Sequence, residues 1–256
     1  MKKEKLIDER NKNLYDTVRA HYKVNLKKSD DHMWGSNIEK DTVIISHSQT
    51  KYPISAFTHE LLHPDTQLKG YKRIRAGISL ERETHNHLKR LIRCIDNEFQ
   101  HHKMFDTFIA LGFPANEFYN DLDTKTVSYL ENDVLKITGQ NFISLSVDYL
   151  TLIAPGGVIP PNKFEELKEA FYNYDSGKYL VKFQKIDKII ADWKSDTSFD
   201  AEKYIILFFK NLDAGKTWIS YDENINEGIS NNNFPSSGFF TESSFTIEEL
   251  AKAFGK

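Results

Sequence analysis

The spacing of apolar and polar positions divides the chain into a mixed first part and a largely helical remainder. Leu6, Leu14, Tyr15 and Val18 recur on one face of an otherwise charged stretch, which predicts an amphipathic helix over 4–20. His21 to Leu26 alternates, with Tyr22, Val24 and Leu26 on one side, as a short strand does. A polar turn at Ser29-Asp30-Asp31-His32 and a bend at Trp34-Gly35 lead to the β-branched run 41–48, a second strand. Pro53 suits the first turn of a helix and Pro64 blocks its continuation, so a helix is predicted over 53–63. Residues 65–79 are polar and punctuated by glycine, and read as a loop with room for a short helix. From Leu80 to Leu111 the positions Leu88, Leu91, Ile92, Ile95, Phe99, Phe105 and Phe108 keep a helical period, which predicts one long helix or two in tandem ending at Gly112-Phe113-Pro114.

Beyond Pro114 the pattern predicts helices over 115–135, 141–153, 162–174, 178–193 and 200–212. The proline- and glycine-rich run 155–161 is the clearest break, either a boundary or a wide turn. Residues 217–244, rich in Asn, Ser, Gly and Phe, read as a loop, and Thr246 opens a short capped terminal helix. The expected fold class is α+β, mainly helical: a small sheet beside the 53–63 helix, then a helical C-terminal part. The expected division is 1–114 and 115–256.

Composition narrows the functional classes. A formal net charge of −3, with lysines scattered among acids, gives no electrostatic case for nucleic acid. No stretch approaches the ~20 apolar residues that span a bilayer. The first ten residues carry basic side chains with no apolar run behind them, so they do not read as a signal peptide. The lone Cys94 excludes an internal disulfide framework and favours a reducing compartment, so a cytoplasmic location is expected.

The chemistry concentrates in Phe57-Thr58-His59-Glu60-Leu61-Leu62-His63, which contains H-E-x-x-H. Positions i and i+4 share a helix face, so His59 and His63 can reach one ion, while Glu60 lies further round and can act as a base. Chance would produce this pattern roughly 0.02 times in a shuffled chain of this composition. A catalytic zinc site needs three protein ligands and an open position. The long helix offers Cys94-Ile95-Asp96-Asn97-Glu98-Phe99-Gln100-His101-His102, with Glu98 on the side of Cys94, His101 and His102.

With Asn97-Glu98 placed after His59, Glu60 and His63, the chain resembles the HExxH metallopeptidases of the gluzincin type over about residues 40–115. That resemblance implies a zincin-like sheet beside the motif helix and a Zn²⁺ held by His59, His63 and Glu98. It also implies hydrolysis of a peptide bond by a metal-activated water, with Glu60 as general base. Two departures stand out. The interval from His63 to Glu98 is longer than the family's, and His101 and His102 occupy the place of its Ser-Asp.

Several roles stay open on the residues alone. His101 or His102 is the favoured donor to the oxyanion, with Tyr119 and Tyr129 weaker choices. Asp65 or Asp96 could fix the tautomer of a ligand histidine. Cys94 is either a thiolate ligand or core packing, and His85 and His87 read as an exposed face. Val43–His47 is either an edge strand for an extended substrate or an interior strand. The expected partner is a peptide or protein substrate.

A rival reading uses Glu60-x-x-His63 and Glu98-x-x-His101 as the paired motifs of a di-iron or di-manganese bundle. Its further carboxylates would come from Glu131, Glu165, Glu166 or Glu169. A third reading is a catalytically silent scaffold that binds a protein partner.

Overall fold

The computed structural model describes residues 2–29, 33–119, 124–156, 159–222 and 234–254. The expected turn residues 30–32, positions 157 and 158 of the break, and residues 223–233 of the expected loop lie outside the described residues. The chain is α+β and mostly helical, with two small three-stranded sheets. It divides into two compact units, each made of three segments. The first is Met1–Tyr71, Gln100–Val127 and Ala154–Pro160; the second is Lys72–Phe99, Ser128–Ile153 and Pro161–Lys256. The sequence suggested one cut, between 1–114 and 115–256, whereas these units interleave along the chain.

In the first unit a 3₁₀ turn at Lys3–Leu6 precedes α1, Lys12–His21. The helix predicted over 4–20 is interrupted because Asp8 takes the amide of Arg10 and Asn11 takes the amide of Asp8. Such short side-chain bonds offer the backbone an alternative to helical pairing.

Three strands follow: β1, Lys23–Lys28; β2, Gly35–Glu39; and β3, Thr42–His47. Their order is β1-β3-β2, with β3 parallel to β1 and antiparallel to β2. Lys40, in the left-handed region at φ 55°, turns the β2–β3 hairpin. Since β3 is paired on both sides, Val43–His47 is the interior strand and offers no edge to a substrate.

Helix α2, Pro53–Leu68, carries the H-E-x-x-H motif and packs against α1, β2 and β3. It starts where Pro53 predicts but runs on through Pro64, against the expected end at 63. Pro64 withholds an N–H from the Glu60 carbonyl, and an interior proline costs about 3 kcal/mol. Burial offsets this, because every residue from Ser55 to Thr66 is buried. Gly70, at φ +108°, turns the chain away after the helix. Phe57, Leu61 and Leu62 join Leu14, Val18, Val24, Val43, Ile45, Met104, Phe108 and Phe118 in one core.

The second unit holds β4, Ala76–Ser79; β5, Thr217–Ser220; and β6, Gly238–Phe240. They form an antiparallel sheet of order β4-β5-β6. All three strands fall in stretches expected to be loop. β5 reads Thr-Trp-Ile-Ser with all four residues buried, so it has no alternation to detect. Gly77 lets β4 lie flat, since a Cβ there would meet the Trp218 carbonyl oxygen at 2.8 Å.

Helix α3, Arg82–Ala110, is one continuous helix of 29 residues, and the division between the units falls within it, after Phe99. Gly112, at φ +88°, follows its end as expected. Of the helix predicted over 115–135, positions 120–123 lie outside the described residues; the rest is a 3₁₀ turn at Ala115–Glu117, then α4, Thr124–Tyr129, continued by a π-turn at Leu130–Val134. Helices α5, Phe142–Leu152; α6, Pro161–Tyr172; α8, Leu180–Ser195; and α9, Glu202–Asn211, lie close to their predicted places, with the short α7, Tyr174–Gly177, between α6 and α8. Terminal helix α10, Ile247–Phe254, opens with a reciprocal cap: Glu249 accepts from the Thr246 amide, and Thr246 Oγ1 accepts from the Glu249 amide.

Asn11, fully buried, ties the N-terminal segment to the motif helix. Its Nδ2 donates to the Leu6 carbonyl at 2.8 Å and to Thr58 Oγ1 at 2.9 Å. Thr58 Oγ1 in turn donates to the Ile54 carbonyl. Asn11→Ala leaves these buried acceptors short of a donor and is expected to lower stability by about 1–3 kcal/mol. Urea denaturation checks this, and an unchanged midpoint would contradict the clamp.

Candidate metal centre

Helix α2 and the part of α3 from Gln100 onward, both in the first unit, bring the chemistry together. Helix α2 supplies His59 and His63, one turn apart, as the i, i+4 spacing predicts. The last turns of α3 supply His101. Among the described residues, His59, His63 and His101 form a group whose potential ligand atoms all lie within 4.8 Å of one another. Their ring centroids are 5.2 Å apart for His59–His63, 4.9 Å for His59–His101 and 5.5 Å for His63–His101. Phe118 and Tyr119 wall the triad: Phe118 lies 4.5 Å from the His59 ring, and Tyr119 lies 5.0 Å from the His101 ring.

All three imidazoles are buried, at 3–7% exposure. Burial, then the neighbouring His101 and His63, hold the pKa of His59 well below the usual histidine value, so its ring is neutral. Neutral imidazole is the form that ligates metals. The Nδ1–H of His63 donates to Gln100 Oε1 at 3.0 Å, and Nδ1 of His101 lies 2.8 Å from the Tyr119 hydroxyl. The Nδ1 of His59 is buried with no hydrogen-bond partner. An unsatisfied buried polar atom costs about 1–3 kcal/mol. Three clustered imidazoles, one with an orphaned nitrogen, fit a divalent ion of the zinc, copper, iron or nickel type.

The remaining sequence candidates fall in several places. Glu60 is buried on α2 beside His59. Glu98 is buried three residues before His101 and accepts from Asn97 Nδ2 at 3.2 Å, but it is not one of the three clustered groups. Of the expected set His59, His63 and Glu98, the two histidines fall in the clustered group, whose third member is His101. His101, expected as an oxyanion donor, lies within ligand-atom reach of the two motif histidines. His102, the next position round α3, is buried and also outside the triad. Tyr129 donates to Asp148 at 3.1 Å.

Asp65 and Asp96, the expected tautomer-fixing groups, are engaged elsewhere, and the Nδ1 of His63 meets Gln100. Asp65 pairs with Lys69, and Asp96 takes Arg73 Nε and the Ile74 amide. Of the pair expected on an exposed face, His85 is exposed and His87 is half-buried. The sequence reading missed Gln100 and assigned Tyr119 a different role. Gln100 did leave a signal: it is a polar residue in register with Met104 and Phe108 on the apolar stripe of α3, and it is fully buried.

Comparison of the chain with protein-family models, with curated proteins and with solved structures finds no match. Among the described residues, no helix is long and apolar enough to cross a membrane.

Cys94 belongs to packing. Its thiol donates to the Val147 carbonyl at 3.6 Å, and burial, followed by the nearby Glu98 charge, pushes its pKa far up. A thiol held protonated is a poor nucleophile and a poor ligand. Iodoacetamide at pH 8 is therefore expected to label native protein at least tenfold more slowly than urea-unfolded protein. Equal rates would return Cys94 to the list of reactive groups.

Proposed function

We propose that the chain is a zinc-dependent metallopeptidase of the zincin type, with His59, His63 and His101 as the residues that hold the ion. The observation that carries the reading is the buried triad of imidazoles with Glu60 next to its first member, on one helix, in the H-E-x-x-H order. When bound, a zinc ion there supplies Lewis acidity and a water acidified towards neutral pH. Glu60 takes the proton from the attacking nucleophile and returns it to the leaving amine. Phe118 and the buried helix α2 limit the water around the reacting groups, which strengthens each charge interaction there. The substrate class is a peptide or protein.

Two observations bear on the alternatives. The di-metal bundle needs further inward carboxylates. Glu165, Glu166 and Glu169 are exposed, while Glu131 pairs with Lys163 at 2.9 Å. This favours a single ion. The near-complete burial of all three rings favours a second reading, in which the ion is held for structure and the chain binds a partner without turnover.

Metal analysis together with a peptide-cleavage assay separates these readings. The wild type is expected to retain one zinc per chain. Glu60→Gln is expected to keep the zinc and lose turnover by on the order of 10²–10⁴-fold. A wild type with zinc and no cleavage of any peptide library supports the structural reading, and two irons or manganese per chain support the bundle. His101→Ala is expected to weaken zinc retention by at least about tenfold, while Glu98→Ala leaves it near the wild-type level. The reverse pattern would make Glu98 the third ligand.

A further inference from the structure

We propose that Gln100 and Tyr119 are positioning residues that fix which nitrogen of His63 and of His101 faces the ion; the proposal rests on the metal-centre reading above. The oxygen of a carboxamide only accepts. With Gln100 Oε1 3.0 Å from Nδ1 of His63, that nitrogen carries the ring proton. A neutral imidazole has one such proton, so Nε2 of His63 keeps its lone pair for a metal. The Tyr119 hydroxyl, 2.8 Å from Nδ1 of His101, does the same when it accepts, and only that direction leaves Nε2 of His101 able to ligate.

The arrangement is economical in sequence. Gln100 and His101 are neighbours on α3, so one turn delivers both a ligand and the partner of a ligand on α2. Gln100 is fully buried, where an amide is costly unless its bonds are made. Its oxygen is used on the motif histidine, a placement that packing alone does not require.

The partner is also neutral. A ligand histidine commonly hands its second N–H to a carboxylate, a backbone carbonyl or water. A carboxylate would make a charge-assisted bond roughly twice as strong and would raise the basicity of the ring. An amide and a phenol behind two of the three imidazoles add no negative charge, so they leave the charge of a divalent ion undiminished. Gln100→Glu should therefore tighten the hold on a cation, and Gln100→Leu should loosen it.

The test measures zinc affinity by competition with a chelator for wild type, Gln100→Leu, Gln100→Glu and Tyr119→Phe. It also records ¹⁵N spectra of the histidine rings and the melting temperature of each metal-free form. Gln100→Leu and Tyr119→Phe are expected to bind zinc about 10–100-fold more weakly, and Gln100→Glu at least as tightly as the wild type. The metal-free wild type is expected to show His63 in the Nδ1–H tautomer. Gln100→Leu with wild-type affinity, or His63 in the Nε2–H tautomer in the wild type, overturns the proposal. If Gln100→Leu does not fold, the Gln100→Glu affinity and the wild-type tautomer decide. A wild type that binds no zinc overturns the metal reading itself, while its metal-free ring spectra still report on Gln100.

Discussion

A helix buried around its whole circumference cannot carry polar groups without giving each of them a partner. Helix α2 is such a helix from Ser55 to Thr66, and it carries Thr58, His59, Glu60, His63 and Asp65 within that span. An unpartnered polar group in the interior costs several times the net worth of an ordinary hydrogen bond. Much of the first unit can be read as the answer to this constraint. Asn11 meets Thr58, Lys69 meets Asp65, and Gln100 meets His63. The Nδ1 of His59 is buried without a hydrogen-bond partner, beside two further imidazoles. That residue of unmet bonding is the physical ground for placing an ion at the triad.

The surrounding elements serve to hold α2 in this environment. The sheet β1-β3-β2 presents Val43 and Ile45 to its apolar side, and the N-terminal segment closes over it through Leu6, Leu14 and Val18. The chain accepts an interior proline at position 64 to keep the helix running to Leu68. On the side of the triad, Phe118 packs against both His59 and His101, so the rings are confined by an aromatic wall as well as by hydrogen bonds. Confinement of this kind limits how far a ligand group can swing, which is what a site must do to favour one coordination geometry.

What could be read from the residues beforehand follows from how local the information is. The H-E-x-x-H pair, the start of α2 at Pro53, the period of α3 and the capping box at Thr246 are all written within one or two helical turns. The third member of the triad was not legible to the same degree. Glu98 and His101 lie on one face of the same helix, three residues apart, and only the approach of α2 to the end of α3 distinguishes them. The strands β4, β5 and β6 escaped notice because they are short, glycine-bearing or buried on both faces, so alternation had nothing to act on. The interleaving of the two units along the chain is likewise a property of tertiary packing, and no run of composition marks its division inside α3.

The central claim is that three imidazoles, two from α2 and one from α3, converge on one ion. X-ray absorption spectroscopy of the zinc-loaded protein tests it most directly. The account predicts nitrogen scatterers at about 2.0–2.1 Å, with outer-shell scattering that fits three imidazole rings. A first shell containing sulfur, or outer-shell scattering that fits no more than two rings, would contradict it.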